Sequence, residues 1–208
     1  MTQTRTRSII DEQESLEATI KDAILDMYEA LADHPDGEFH FFHGREAAER
    51  FGYDPEVLDR MPATAVSSFA GVGNPHLRSD IREGDRVLDL GSGAGLDAIL
   101  AGWAAGPTGT VIGLDINPAM CRRAEENAAA SGTDIDCRLG RMEEMPVEDD
   151  SIDVAISNGV INLSFRKRRV ARELFRVLKP GGRLSFTDIV SAKLLSESIV
   201  NDPKLWAS

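Results

Sequence analysis

The feature that most constrains the fold of this chain is a short apolar strand that runs directly into a glycine-rich bend. The strand is predicted over 86–90, and Gly91, Gly93 and Gly95 follow it before a helical pattern begins. Glycine adopts backbone conformations that other residues avoid, so such a bend turns tightly and brings main-chain amides close to a ligand. The bend therefore predicts a strand–turn–helix unit with a binding site at the start of the helix.

A second apolar strand, over 110–115, ends in Asp115, twenty residues beyond Gly95. An acid at the tip of the second strand is where folds of this kind bind the two hydroxyls of a ribose. Together, the bend and the acid predict a nucleoside-containing cofactor that lies across the carboxyl ends of a parallel sheet.

The rest of the sequence predicts an α/β domain preceded by helices, because strand and helix patterns alternate after about residue 77. Strands are predicted over 86–90, 110–115, 135–139, 152–157 and 183–190, and helices over 96–105, 118–131 and 167–178. Before them we expect a disordered lead over 1–10, a helix over 11–33, and short helices over 45–51 and 55–61. This organisation predicts an N-terminal helical cap over 1–76 and a cofactor-binding domain over 77–208.

Charge and composition limit the classes of partner that this chain can bind. With 35 acidic and 23 basic residues, the net charge of -12 disfavours nucleic acid and anionic membranes as partners. Two cysteines provide no disulfide framework and no CxxC metal pattern, so we expect no metal. Neither a signal peptide nor a membrane span is apparent in the sequence, and we expect a cytoplasmic protein.

The glycine bend alone does not select the cofactor. Residues 93–98 also satisfy the GxGxxA pattern of NAD-dependent oxidoreductases. A dinucleotide site normally uses two mononucleotide-binding halves, and this chain offers one, so the oxidoreductase is the weakest alternative.

Five ordered motifs resemble those of class I S-adenosylmethionine-dependent methyltransferases. They lie at 87–95, 111–115, 138–146, 153–158 and 176–182. Further segments at 52–58, 73–75, 156–163 and 202–206 are similar to the arsenite methyltransferases within that class. The resemblance implies a Rossmann-like sheet, S-adenosylmethionine as cofactor, and methyl transfer to a small molecule.

The resemblance also implies roles for individual residues. It places Gly91, Ser92, Gly93 and Gly95 along the methionine part of the cofactor, with Asp89 supporting its ammonium group. Asp115 is expected to bind the ribose hydroxyls, with Ile116 beside the adenine. The remaining expected cofactor residues are Arg141 and Met142 at the adenine edge and Asn158 near the methionine moiety; core packing for Ile116 and Met142, and a solvated cation for Arg141, are the alternatives.

The chain departs from the arsenite methyltransferases at their arsenic-binding thiolates. The matching positions hold Val72 and Gly159, which cannot bind a soft arsenic centre. We therefore expect an acceptor other than arsenite, in a pocket shaped by the cap, Val72, Asn74 and Gly159. Cys121 and Cys137 lie elsewhere and are interpreted as small apolar residues.

The catalytic residues stay unassigned at this stage. If the acceptor is a hydroxyl compound it needs a base, and three histidines are candidates, although a surface or capping role is the alternative for each. They are His40, His43 and His76.

Only five of the family's strands can be read, and the sixth and seventh are absent. The strand at 184–190 is then an apolar edge, which invites pairing with a second copy of the chain or a separate polypeptide, unless the sequence is truncated. The lost thiols and the short sheet also leave open a non-catalytic homologue or partner subunit that binds the cofactor.

Overall fold

The computed structural model describes residues 2–33 (side chains 15–31), 37, 39, 41–196, 199 and 201–206 (without the side chains of 203 and 204). The first helix, α1, spans Thr2–Asp33. Its end agrees with the sequence prediction, but the disordered lead predicted over 1–10 is wrong from residue 2 onward. Residues 2–10 contain neither glycine nor proline, so no local signal interrupts the helix there. Neither α1 nor any other described helix is long and apolar enough to cross a bilayer.

Short helices connect α1 to the sheet. They are α2 (Gly44–Arg50), α3 (Pro55–Leu58), α4 (Ala63–Ser67) and α5 (His76–Ser79). α3 begins where the sequence predicts, because Asp54 accepts a hydrogen bond of 2.9 Å from Glu56 N and Pro55 occupies the first helical position. It ends at Leu58, before the predicted Met61. The sequence did not predict α4 and α5, since helices of about one turn are too short for a periodic pattern.

The five strands form one parallel sheet in the order β3-β2-β1-β4-β5. They are β1 (Arg86–Leu90), β2 (Thr110–Asp115), β3 (Asp136–Leu139), β4 (Ile152–Asn158) and β5 (Leu178–Thr187). The helices α6 (Leu96–Ala105), α7 (Pro118–Ala130) and α8 (Lys167–Val177) connect them, and α9 (Pro203–Trp206) follows. This confirms the predicted Rossmann-like fold. The strand order reverses between β1 and β4, and a crevice opens there at the carboxyl ends of the strands.

The last strand differs from its prediction at both ends. β5 begins at Leu178, passes through an irregularity opposite Ile152 and Val154, and ends at Thr187 rather than at residue 190. Residues 179–182, which lie between the predicted helix and the predicted strand, therefore form an irregular part of β5 beside β4. Among the described residues only β4 pairs with β5, and Leu184 and Phe186 are 39% and 53% exposed. Pairing of this edge with another chain stays a prediction.

The core lies on both faces of the sheet. On one face, α6 and the short cap helices cover Val87, Val154 and Ile156. On the other face, α8 covers Leu88 and Ala155, which alternate with those residues along the strands as strand geometry requires. Burial on both faces explains why the strands read as nearly continuous apolar runs.

Candidate functional site

The glycine bend has the backbone conformation that its sequence predicts. Gly91, Gly93 and Gly95 have φ values of 74°, 53° and 91°. A Cβ on Gly91 would lie 2.4 Å from Val160 Cγ2, whereas no atom lies within 4 Å of the position of a Cβ on Gly93. Glycine is therefore required at 91 for packing, and the space beside 93 is open to a ligand.

The amides of the bend are used differently from the prediction. Gly91 N and Ser92 N both donate to Leu114 O, at 2.8 and 3.1 Å, and Gly93 N donates to Asp115 Oδ2 at 2.9 Å. These hydrogen bonds tie the bend to β2. The bend can accommodate a cofactor by its shape, and its placement along the methionine part of the cofactor stays a prediction.

Asp115 lies at the end of β2 with its carboxylate held in a fixed orientation. Oδ2 accepts from Gly93 N and Oδ1 accepts from Asn117 N, each at 2.9 Å. Burial raises the pKa of Asp115, and the main-chain hydrogen bonds partly oppose that rise. A desolvated carboxylate with a fixed orientation is suited to accept hydrogen bonds from a pair of hydroxyls.

Two further carboxyl groups lie deeper in the site. Asp89 is 2% exposed, and its Oδ2 has no hydrogen-bond partner among the described residues. Burial first, and then the charges of Asp97 and Asp115, raise the pKa of Asp89 well above its ordinary value. An orphaned buried oxygen beside a second carboxylate provides a place where a cation gains electrostatic energy.

Asp97 belongs to this site, although no motif in the sequence assigns it a role. It accepts hydrogen bonds from Tyr53 Oη at 2.5 Å and Asn158 Nδ2 at 3.0 Å, and its Oδ1 lies 3.2 Å from His76 Nε2. In the sequence, an acid in the first turn of α6 is already explained by the helix dipole. Only the contacts from distant segments distinguish Asp97 from an ordinary helix-start residue.

Asn158 joins the cap to the sheet. Its Oδ1 accepts from Val72 N at 2.9 Å, Gly73 N at 3.1 Å and Thr187 Oγ1 at 2.8 Å. A Cβ on Gly71 would lie 2.3 Å from Asn158 Nδ2. The side chain is therefore fully engaged in holding the segment 71–73 against the sheet, and the predicted contact of Asn158 with the methionine part of a cofactor remains untested.

A cavity of about 690 Å³ lies above the carboxyl ends of β1, β2 and β4. Nine of the ten residues expected to bind the cofactor line it; Gly95 lies behind the lining. The nine are Asp89, Gly91, Ser92, Gly93, Asp115, Ile116, Arg141, Met142 and Asn158. The structure thus brings the cofactor candidates together, and their individual roles stay predictions.

One wall of the cavity is α1. Lys21, Ile24 and Tyr28 line it from this helix. Leu31, one turn further along α1, is fully buried in a cluster that includes Ala94 of the glycine bend. Burial, and then the charge of Asp115, raise the pKa of Tyr28 to about 12. The sequence predicted that the cap shapes the pocket, but it did not indicate which helix would cover the glycine bend.

The three residues expected to shape the acceptor pocket are not part of the cavity lining. Val72 contacts Gly159, since a Cβ on Gly159 would lie 3.2 Å from Val72 Cγ1. Asn74 accepts a hydrogen bond from His76 N at 3.0 Å and donates to Gly52 O at 3.3 Å, which are contacts within the cap. The positions 72 and 159 therefore adjoin each other behind Asn158.

The histidine and cysteine side chains considered as bases or metal ligands lie away from the cavity wherever the structure describes them. His40 lies outside the described residues. His43 Nδ1 lies 3.3 Å from Phe41 O. Neither His43 nor His76 lines the cavity, and no cysteine does. Among the described residues, no group of three or more His, Cys, Asp or Glu side chains is arranged to hold a metal ion.

Comparison with known proteins connects this geometry to a family. A family model described as "Methyltransferase domain" matches residues 81–208. The arsenite methyltransferase of Halobacterium salinarum is 41% identical over 157 residues, which are 75% of this chain and 40% of that relative. The mouse arsenite methyltransferase is 34% identical over 134 residues, which are 60% of this chain and 36% of that relative. This chain therefore spans less than half the length of these relatives.

Comparison with solved structures also finds methyltransferases. The arsenic(III) S-adenosylmethionine methyltransferase of Chlamydomonas reinhardtii superposes with a TM-score of 0.61 at 37% identity, over 77% of this chain and 53% of that one. An S-adenosylmethionine-dependent methyltransferase of Aquifex aeolicus, at 21% identity and a TM-score of 0.53, shares the fold over 76% of this chain and 80% of its own. These matches favour a methyltransferase over the oxidoreductase alternative.

Proposed function

The chain belongs to the family of S-adenosylmethionine-dependent methyltransferase domains and is related to the arsenite methyltransferases, and on that basis we propose that it methylates a small molecule other than arsenite. The cofactor cradle is formed by the glycine bend 91–95 with Asp89 and Asp115. The observation that carries the proposal is that this cradle is intact, whereas the expected acceptor positions 72 and 159 hold no thiols.

The residues of the cradle fit S-adenosylmethionine by shape and charge. The space beside Gly93 is open, the carboxylate of Asp115 is oriented to accept from ribose hydroxyls, and Ile116 and Met142 offer apolar surface to an adenine. The cofactor supplies an electrophilic methyl group on a sulfonium. Its α-ammonium would relieve the repulsion among the buried carboxylates around Asp89, whose unsatisfied oxygen is the strongest indication of a cationic ligand.

The proposal that arsenite is not the acceptor rests on residue chemistry. At the two positions where the relatives are expected to carry thiolates, this chain has an apolar contact between Val72 and Gly159. Trivalent arsenic is soft and prefers thiolate ligands, and the described lining of the cavity contains no cysteine. Near Asn158 the cavity lining includes Phe69, Gly71 and Val160, whose apolar surface suits a small acceptor with an apolar body.

In this proposal the protein acts mainly by positioning the acceptor. None of the candidate histidine bases belongs to the described lining of the cavity, which favours an acceptor that is nucleophilic at neutral pH, such as a thiol, over an alcohol. The contributions of the protein are then proximity, since α1 and the segment 68–71 enclose the reacting groups, and exclusion of water.

Two experiments test the proposal. Calorimetry should detect binding of S-adenosylhomocysteine and no binding of NAD. A methyl-transfer screen over thiols, phenols, amines and arsenite, scored by mass spectrometry, should give methylated product with a small organic acceptor and none with arsenite. The Asp115→Ala variant serves as the matched control, since it removes the acceptor of the ribose hydroxyls.

Each result has a distinct meaning. Efficient methylation of arsenite would overturn the argument from Val72 and Gly159. Tight binding of S-adenosylhomocysteine without turnover of any acceptor would favour the second candidate, a cofactor-binding homologue or partner subunit, which the missing thiols also support. Failure to bind S-adenosylhomocysteine would overturn both.

A further inference from the structure

The fold brings the only two cysteines of the chain together. Cys121 lies on α7 and Cys137 on β3, sixteen residues apart in sequence, and a hydrogen bond joins their thiols. Both are free thiols; Cys121 is 7% exposed, and Cys137 is more open to solvent. From the sequence, each cysteine is interpreted separately as a small apolar residue, and no local pattern indicates that the two are in contact.

The surroundings accommodate the pair. Gly113 of β2 is the register partner of Cys137, and a Cβ at Gly113 would lie 3.3 Å from Cys137 Sγ. Glycine therefore leaves room for this thiol on the face of the sheet that α7 covers. The hydrogen bond from Cys137 lowers the pKa of Cys121 and raises that of Cys137. The pair thus combines a nucleophilic sulfur with a neighbouring thiol that can follow it in reaction.

We propose that Cys121 and Cys137 form a dithiol site that binds a thiophilic trivalent arsenical outside the methyl-transfer cavity. Neither residue lines that cavity. The site is also distinct from the positions 72 and 159, which lie beside Asn158 at the end of β4.

The number of ligands favours trivalent arsenic over a transition metal. A structural zinc site needs about four protein ligands, and no cluster of three suitable side chains occurs in the described part of the chain. A trivalent arsenical with one organic substituent has two exchangeable oxygen ligands, so two neighbouring thiols complete its coordination. Soft arsenic also prefers sulfur over the carboxylates nearby.

The reaction balances without an oxidant or a reductant. Two As–O bonds break and two As–S bonds form, and the thiol protons leave with the displaced oxygen as water. Arsenic remains trivalent throughout. A disulfide between the same two residues would, in contrast, require removal of two electrons.

Phenylarsine oxide is the probe, and native mass spectrometry in the presence of excess monothiol is the readout. The intact protein should take up one phenylarsenic group per chain, with both thiols then protected from iodoacetamide. The adduct should be reversed by an added dithiol, and saturating S-adenosylhomocysteine should not prevent it. Cys121→Ser and Cys137→Ser should each lose the adduct.

A matched control keeps two thiols but separates them. The double variant Cys137→Ser with Ser191→Cys places the second thiol after β5, on the opposite edge of the sheet, about 19 Å away across four strand spacings. It should retain two alkylatable thiols and no stable adduct. The proposal is overturned if this variant binds phenylarsine oxide as well as the parent does, if a single-cysteine variant keeps the adduct, or if S-adenosylhomocysteine blocks it.

Discussion

Replacing Asn158 by aspartate tests whether this amide fastens the cap to the sheet. The two hydrogens of the amide nitrogen are shared among three acceptors, Gly73 O at 2.9 Å, Asp97 Oδ2 at 3.0 Å and Tyr53 Oη at 3.1 Å. Asn158→Asp has nearly the same shape, and its Oδ1 can still accept from the cap amides. Its second oxygen, however, replaces the amide nitrogen and faces the same acceptor atoms, including the carboxylate oxygen Oδ2 of Asp97.

The size of the effect follows from the distance between the charges. Two like charges about 4 Å apart at an effective dielectric constant near 20 repel by about 4 kcal/mol. Asn158 is partly exposed, so we expect the variant to lose about 2–4 kcal/mol of unfolding free energy near pH 8. Repulsion raises the pKa of the new carboxyl in the folded chain above its unfolded value, so the deficit grows as pH rises and shrinks as pH falls.

The assay is urea unfolding of the parent and the variant, followed by circular dichroism, at about pH 5 and about pH 8. The control is Asn158→Ala, which loses the same hydrogen bonds without adding a charge and should be destabilised by about 2–3 kcal/mol at both values of pH. A deficit in Asn158→Asp that is equal at the two values of pH, or absent from both, would refute the assigned hydrogen bonds.

Three other variants address the cofactor cradle. Asp115→Ala removes the acceptor of Gly93 N and of the proposed ribose hydroxyls, so calorimetry should find S-adenosylhomocysteine bound about 30- to 100-fold more weakly; an unchanged affinity would contradict the role of Asp115. Gly91→Ala puts a Cβ 2.4 Å from Val160 at a φ of 74°, so thermal unfolding should show a loss of about 2–4 kcal/mol that Val160→Ala restores only in part, and full restoration would mean that the backbone carries no strain. Asp89→Asn should be more stable than the parent near neutral pH, because a buried acid with a raised pKa costs stability as pH rises, yet it should bind S-adenosylhomocysteine more weakly; a variant that loses stability near pH 7 would contradict this argument.

The local patterns of the sequence determined the sheet and the cradle. Strand and helix periods are set within a few residues, so β1, β2 and β4 were predicted nearly to the residue, as were the positive φ values of the glycine bend. Asp115 was predictable for the same reason, since its position depends only on the length of one strand–helix–strand unit.

Only the tertiary structure decided which distant residues meet. Val72 contacts Gly159, Tyr53 donates a hydrogen bond to Asp97, and a hydrogen bond joins the two cysteines. Each of these contacts joins segments that are separated in the sequence, so no periodic pattern indicates it. Those contacts depend on how the cap and α7 pack on the sheet, and packing is fixed by the shape and burial of many side chains at once.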